Sequence, residues 1–367
     1  MSTTNSARPV RVVLADDSAL MRKKLREIIE SDPALQVVAC ARDGAAAVDA
    51  VREHDPDVVT LDINMPVMDG MTALQAIMHE SPRPVLIISS LTQEGALATY
   101  ECLELGAVDV LPKLGGTISA DIERQSRDII EKVKAAARAR VRRPGARRPA
   151  PAPAPAPEVA VLPTERSAVK GARADRVVAI GVSTGGPKTL QEVVPQLPPD
   201  LPAAVVIVQH MPETFTASFA RSLGRTSQMP VKEAEAGDVL LNGHVYVARG
   251  GKHLIFADRR PTGGVMARYV TQPADALHIP SVDVMMHSAV EAFGARVVGV
   301  LLTGMGCDGA DGMVAIRRAG GETIAEDEST CVVYGMPAVA AARGGAAHVL
   351  PCHEVATKVV SLLRRNR

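Results

Sequence analysis

The chain has 367 residues, a length that implies two to three domains at roughly 150 residues each. Lys plus Arg and Asp plus Glu both number 41, so no net charge draws it onto nucleic acid or an anionic membrane, and 47% apolar residues exclude wholesale disorder. Aromatics are only 2% with no tryptophan, which argues against a base-stacking nucleic-acid platform and leaves the cores to Ala, Val, Ile, Leu and Met.

The five cysteines, at 40, 102, 307, 331 and 352, are odd in number and scattered, with no CxxC spacing. A reducing compartment is expected, with no disulfide framework and no zinc ribbon. The first residues are polar, unlike a secretory leader, and no apolar run approaches the roughly 20 residues that cross a bilayer. The expectation is a soluble, cytoplasmic, multidomain protein without direct membrane insertion.

In chain order, residues 10–15 read as a strand that ends in Asp16, Asp17 and Ser18. Ser18 is placed to cap a helix over 19–30, in which Leu20, Lys23, Lys24, Glu27 and Ile28 follow helical spacing. Strands are then predicted over 36–40, 58–61, 85–88 and 108–111, alternating with helices over 44–53, 71–79, 93–105 and 118–137. Five βα units in residues 8–137 imply a doubly wound parallel sheet, with ligands gathering at the carboxyl ends of its strands.

Those ends carry Asp16 and Asp17, Asp62, Ser89 and Lys113. Three converging carboxylates repel by up to about 4 kcal/mol per pair at an effective dielectric of 20, so they call for a cation, and an all-oxygen set suits Mg²⁺. A carboxylate beside Mg²⁺ can attack a phosphoryl group, Lys113 can pair with the acyl phosphate, and Ser89 can bond a phosphate oxygen. With the run Asp62-Ile63-Asn64-Met65-Pro66-Val67-Met68-Asp69-Gly70, this module resembles the receiver domain of two-component response regulators. The resemblance implies Asp62 as phosphoacceptor, Asp17, Asp62 and the Asn64 carbonyl as Mg²⁺ ligands, and Asp16 acting directly or through water. Two departures are visible: Val110 stands where many receivers carry an aromatic switch residue, and Leu114 follows Lys113 where proline is usual.

Residues 138–175 stand apart. Six arginines lie between Arg138 and Arg148, followed by Pro-Ala alternation from Pro149 to Pro157. Proline at every second position forbids helix and sheet, and nine such residues extend about 28 Å as polyproline II. A solvated, semi-stiff linker is expected, its arginines a possible docking site for an acidic partner.

The second module, residues 176–367, opens with a strand over 176–182, and Gly181-Val182-Ser183-Thr184-Gly185 matches G-x-S-x-G in a strand–turn–helix setting. Pro187 suits a first helical turn. A glycine-rich anion loop is the competing reading, although neither G-x-x-x-x-G-K-[ST] nor G-x-G-x-x-G is present. A nucleophilic serine needs a base. His210 follows the strand at 203–208, while His244, His253 and His278 sit beside short strands or in a loop, and the other five histidines read as structural. The apolar strand at 297–302 leads to two candidate orienting acids, Asp308 and Asp311, before a helix over 313–319. Serine, histidine, acid is not the α/β-hydrolase order, so that fold is not implied.

The segments Gly181–Pro187, Gln209-His210-Met211-Pro212, Pro280-Ser281-Val282-Asp283 and Leu302–Gly309 together resemble the catalytic domain of the chemotaxis response regulator protein-glutamate methylesterase family. The resemblance implies an α/β domain with a mainly parallel sheet. Ser183 would be the nucleophile, His210 the base and then acid, and Asp308 its orienting partner. Met305 would help at the oxyanion and Thr184 would line the site, with no cofactor for the ester step. It also implies glutamate γ-methyl esters on chemoreceptors as substrate, receptor glutamines as a second target in some relatives, and a histidine kinase as phosphodonor. A phospho-switched adaptor that only binds a partner is the rival reading.

Overall fold

The structure, a computed structural model, describes residues 8–89, 93–113, 119–139, 172–258 and 264–365. Most of the linker, from 140 to 171, and Leu114 lie outside the described residues, as does the side chain of Ser89.

In the N-terminal module, β1 (Val10–Ala15), β2 (Leu35–Ala41), β3 (Val58–Asp62), β4 (Val85–Ser89) and β5 (Asp109–Pro112) form one sheet in the order β2-β1-β3-β4-β5. Every pairing in it is parallel. Parallel strands need crossovers, and these are α1 (Ala19–Glu30), α2 (Gly44–His54), α3 (Gly70–Glu80) and α4 (Gln93–Glu104), with α5 (Ser119–Ala137) closing the module. The entry of each of the first three helices is set by a side chain: Ser18, Asp43 and Asp69 accept the N–H groups of Met21, Ala46 and Thr72. Alternate strand residues feed two cores. Val13, Val59 and Ile87 face α2 and α3, while Val12, Leu14 and Leu86 face α1 and α5. The buried stripe of α1 runs through Leu25 and Ile29, and Leu20 is 62% exposed. Helical spacing therefore placed Leu20 on the wrong face; Leu25 and Ile29, one turn apart, define the seam.

The C-terminal module holds a seven-stranded, all-parallel sheet in the order β14-β13-β12-β6-β7-β9-β8. Its strands are β6 (Val177–Val182), β7 (Ala204–Gln209), β8 (Val231–Glu233), β9 (Val245–Val247), β12 (Val297–Leu301), β13 (Glu322–Glu326) and β14 (His348–Leu350). β10 (His253–Asp258) and β11 (Val265–Val270) form a separate antiparallel hairpin. One face is covered by α6 (Gly186–Val193), α7 (Glu213–Thr226) and α11 (Cys352–Arg365), through Leu190, Phe219 and Val355 among others. The other face is covered by the hairpin, α8 (Val282–Phe293), α9 (Ala310–Arg318) and α10 (Met336–Ala342), through Leu254, Met285, Met313 and Met336. β6 lies between β7 and β12, the point where strand order reverses and where loops diverge to leave a crevice.

α9 begins at Ala310, three residues before the position its apolar pattern suggests. Gly309, at φ +91°, caps it, and Gly312 inside its first turn lets α8 come close: a Cβ there would meet Met286 Cβ at 2.5 Å.

The two modules touch through apolar side chains and through polar groups. Phe215 of α7 is buried in the receiver-side core with Cys102, Leu103 and Val110, and Met211 packs beside them.

Candidate active site

Ser183 stands at the end of β6, where the chain turns sharply into α6. Its N–H donates to the Thr303 carbonyl at 3.0 Å, and its own carbonyl accepts from Gly186 N at 2.8 Å and Gln209 Nε2 at 2.9 Å. The turn needs Gly185 at φ +80°, and the neighbouring loop needs Gly304, since a Cβ there would lie 2.7 Å from Ser183 Cβ. At the end of β7, the His210 N–H donates to the Val182 carbonyl at 3.1 Å. Past the end of β12, Thr303 donates its N–H to Glu326 Oε2 at 2.8 Å and its hydroxyl to the Thr184 carbonyl at 3.0 Å.

Asp308 lies beyond this loop, with its Oδ2 2.8 Å from His210 Nε2. The same carboxylate accepts from Val282 N at 2.7 Å, Asp283 N at 2.9 Å and Ser281 Oγ at 2.8 Å. Burial alone would raise its pKa, but the His210 bond and charge and these backbone donors outweigh it, and the carboxyl is held well below the usual range. The other nitrogen of the ring, Nδ1, is buried and without a hydrogen-bond partner. Among the described residues no hydrogen bond joins the imidazole to the Ser183 hydroxyl, yet both line one cavity of about 820 Å³, together with Thr184 and Met305. His278 stacks on His210, ring centroids 4.0 Å apart.

Asp311, the other candidate acid, points away from this cluster and pairs with Arg343 at 2.6 Å. Glu326 carried no sequence signal, and Gln209 appeared only as the neighbour of His210 in a motif, without a role of its own. Both are fully buried behind the Ser183 turn, and burial pushes the Glu326 carboxyl up to about 6. Of the other histidines, His244 lies in a turn against the Asn242 carbonyl, and His253 is fully buried although its position beside short strands read equally as surface.

The cavity has a wall from the other module. Arg127, Asp128, Glu131 and Lys132 of α5 line it, and Ser183 and His210 are only 5% and 7% exposed. Gly185 N–H donates to the Val108 carbonyl at 3.2 Å, and Thr184 Oγ1 donates to Asp109 Oδ2 at 3.0 Å. Lys132 pairs with that carboxylate at 3.3 Å; burial weakens the ammonium, but the charges of Asp109 and Asp128 prevail and keep its pKa above normal.

In the N-terminal pocket, oxygens of Asp16, Asp17 and Asp62 come within 4.8 Å of one another. Lys113 Nζ is 2.7 Å from Asp62 Oδ2 and 3.5 Å from Asp16 Oδ2. Burial raises the Asp62 pKa, the Asp16 charge adds to it, and Lys113 opposes both. Asp16 Oδ2 and Asp62 Oδ1 are buried with no hydrogen-bond partner. Such orphaned oxygens in an all-carboxylate set fit a divalent cation of the Mg²⁺ kind. Asn64 is exposed two residues beyond Asp62, and β4 ends at Ser89.

This arrangement, a carboxylate cluster at the strand ends of one module and a serine–histidine–carboxylate cavity covered by that module in the other, is that of a hydrolase under receiver control. Residues 178–359 match the CheB methylesterase family and residues 12–117 the response regulator receiver domain. A protein-glutamate methylesterase/protein-glutamine glutaminase of Carboxydothermus hydrogenoformans is 50% identical over 97% of this chain and 99% of its own length. One from Syntrophomonas wolfei is 47% identical over 97% of this chain and all of its own length. The crystal structure of the Thermotoga maritima CheB methylesterase catalytic domain is 41% identical, with a TM-score of 0.50 over 51% of this chain and 98% of that one. The chain belongs to the protein-glutamate methylesterase/protein-glutamine glutaminase family.

Proposed function

We propose that the chain hydrolyses γ-methyl esters of glutamate on chemoreceptors, and the amide of receptor glutamines, by way of an acyl-enzyme on Ser183. The observation that carries this is the 2.8 Å contact of Asp308 with His210 Nε2, which leaves the buried Nδ1 without a hydrogen-bond partner in a ring that lines one cavity with Ser183. Asp308 accepts the Nε2 proton and so fixes the tautomer in which Nδ1 is basic. Nδ1 takes the Ser183 proton as Oγ attacks the ester carbonyl; the imidazolium returns that proton to the departing methoxide, and methanol leaves. A water then gives its proton to Nδ1 and attacks the acyl carbon, freeing Ser183 and a glutamate carboxylate. With a glutamine the leaving group is ammonia. Backbone N–H groups of Thr184 and Met305 border the position of the oxyanion.

The receiver module regulates this chemistry. Asp62 takes a phosphoryl group from a histidine kinase, its oxygen bonding to phosphorus as the P–N bond breaks. Asp17, Asp62 and the Asn64 carbonyl, with Asp16, would hold Mg²⁺, which when bound neutralises the oxygens of the incoming group. Lys113 pairs with the acyl phosphate, and Ser89 bonds one of its oxygens. Lys113 follows β5 directly, and Asp109 at the other end of β5 accepts from Thr184 and pairs with Lys132 of α5, so phosphorylation pulls on the strand that ties the receiver to the cavity wall. The unphosphorylated receiver blocks the site and the phosphorylated one releases it. Among the described residues no helix is long and apolar enough to cross a membrane, consistent with an enzyme that meets its receptors from the cytoplasm.

The test is methanol release from methylated receptor fragments, with and without a small phosphodonor and Mg²⁺. Release that rises with the phosphodonor and vanishes in Ser183→Ala is expected. A Ser183→Ala chain that still releases methanol overturns Ser183 as the nucleophile, and a parent chain that releases none favours the adaptor reading.

A further inference from the structure

His253, the first residue of β10, lies outside the cavity and is 0% exposed, yet both ring nitrogens are committed. Nδ1 is 3.0 Å from the backbone N–H of Ser281, and Nε2 is 3.0 Å from the carbonyl of Pro273. An amide N–H can only donate and a carbonyl can only accept. The tautomer is therefore fixed as neutral, with the proton on Nε2 and the lone pair on Nδ1. Ser281, held by this bond, is the N-cap of α8: its hydroxyl accepts from Val284 N at 3.3 Å and donates to Asp308 Oδ1 at 2.8 Å. The two residues after it supply the other backbone donors on Asp308.

We infer that His253 and Ser281 are positioning residues for the esterase: His253 anchors the Ser281 peptide, which aims three donors at Asp308 and so sets the carboxylate that orients His210. This deepens the proposed mechanism and rests on it. Ser281 Oγ and Asp283 N hold Oδ1 while Val282 N shares Oδ2 with His210, so both oxygens of Asp308 are fully used and the carboxylate has one orientation. With the Ser281 peptide loose, Asp308 Oδ2 would swing between Val282 N and the imidazole, and the His210 ring would lose its fixed tautomer. The antiparallel hairpin, otherwise remote from the chemistry, thereby acquires a part in it.

The test uses the full chain, activated by a small phosphodonor with Mg²⁺ and assayed for methanol release from methylated receptor fragments. The two bonds of His253 separate by substitution. Asn places its side-chain oxygen near the position of Nδ1, so His253→Asn keeps the acceptor for Ser281. Gln places its amide nitrogen near Nε2, so His253→Gln keeps only the donor to Pro273. His253→Gln is expected to lower kcat roughly ten- to a hundredfold at unchanged KM, the loss typical of a misplaced catalytic group, while His253→Asn stays within about threefold of the parent. Ser281→Ala is expected to lower kcat in the same way, and thermal unfolding of each variant reports whether the fold is intact. If folded His253→Gln keeps the parent kcat, or if the Asn and Gln variants lose activity only in step with their melting temperatures, the inference is overturned. The parent and Ser183→Ala serve as controls: a parent without Ser183-dependent methanol release sinks the underlying mechanism instead.

Discussion

Asp62 in the receiver, fully buried, and Asp308 in the C-terminal module, partly buried, are carboxylates each beside one nitrogen base, Lys113 and His210 respectively, and they differ in how their oxygens are partnered. Asp308 accepts four hydrogen bonds, from His210, Ser281 and the N–H groups of Val282 and Asp283, and its pKa is pressed down. Asp62 has one oxygen on Lys113 and the other buried without a partner, next to Asp16, and its pKa is pushed up. The first group is saturated and does nothing but hold a ring still. The second is short of partners, with one buried oxygen unpaired, which suits the phosphoacceptor role proposed for it. Unsatisfied polar atoms cost stability, and here they mark the place where a ligand or a covalent bond is to come.

The comparison can be broken at either end. Asp308→Asn removes the charge from the saturated site while keeping its shape, and a fall in kcat of about 10²- to 10⁴-fold is expected, read by methanol release. A fall of less than tenfold would mean that His210 is oriented by something else. Asp62→Asn should leave the basal rate of the unphosphorylated chain intact and abolish its response to the phosphodonor. Retained activation would relocate the phosphoacceptor.

The interface between the two sites gives a smaller effect. Asp109→Asn replaces Oδ2, which accepts from Thr184 and Lys132, with a group that cannot accept. Loss of one hydrogen bond to a charged group, on the order of 1.5–3 kcal/mol, should raise the basal rate by up to roughly ten- to a hundredfold without the phosphodonor. An unchanged basal rate would show that the Asp109 carboxylate does not hold the cover, leaving it to the apolar contacts and the Gly185–Val108 backbone bond. The smallest effect concerns Glu326, whose pKa rises from 4.5 to about 6 on burial. The folded chain binds that proton more tightly than the unfolded one, so the stabilisation is complete below about pH 4.5 and is lost as pH rises through about 6. It amounts to about 2 kcal/mol. Glu326→Gln should flatten the pH dependence of unfolding in that window, and an unaltered slope would assign the dependence to another group.

The βα alternation and the convergence of Ser183, His210 and Asp308 at strand ends were legible in the sequence, because both follow from strand-end position in a parallel sheet. Asp308 against Asp311 could not be separated that way. Both precede or open α9, and only the three-dimensional path of the loop shows Asp311 turned toward Arg343. Glu326 left no trace, and nothing in the sequence assigned Gln209 or His253 a part apart from His210. Each acts on a backbone N–H or carbonyl, and a backbone group looks the same whatever residue carries it. The start of α9 was missed because Gly309 and Gly312 weaken helix propensity, while the packing of α8 against α9 demands them. The receiver's seat over the cavity depends on one module's surface meeting another's, which no local pattern records.

Phe215 belongs by chain to the catalytic module and by burial to the receiver, where it is 4% exposed. Any movement that uncovers the cavity by parting the modules strands that ring in water, at a cost of about 2–3 kcal/mol. A penalty of that size, by itself, keeps the parted form to roughly a few per cent of molecules or fewer. Under the proposed regulation, silence is thus the resting condition, and a phosphoryl group would have to overcome the burial of a single aromatic side chain before the first ester is cut.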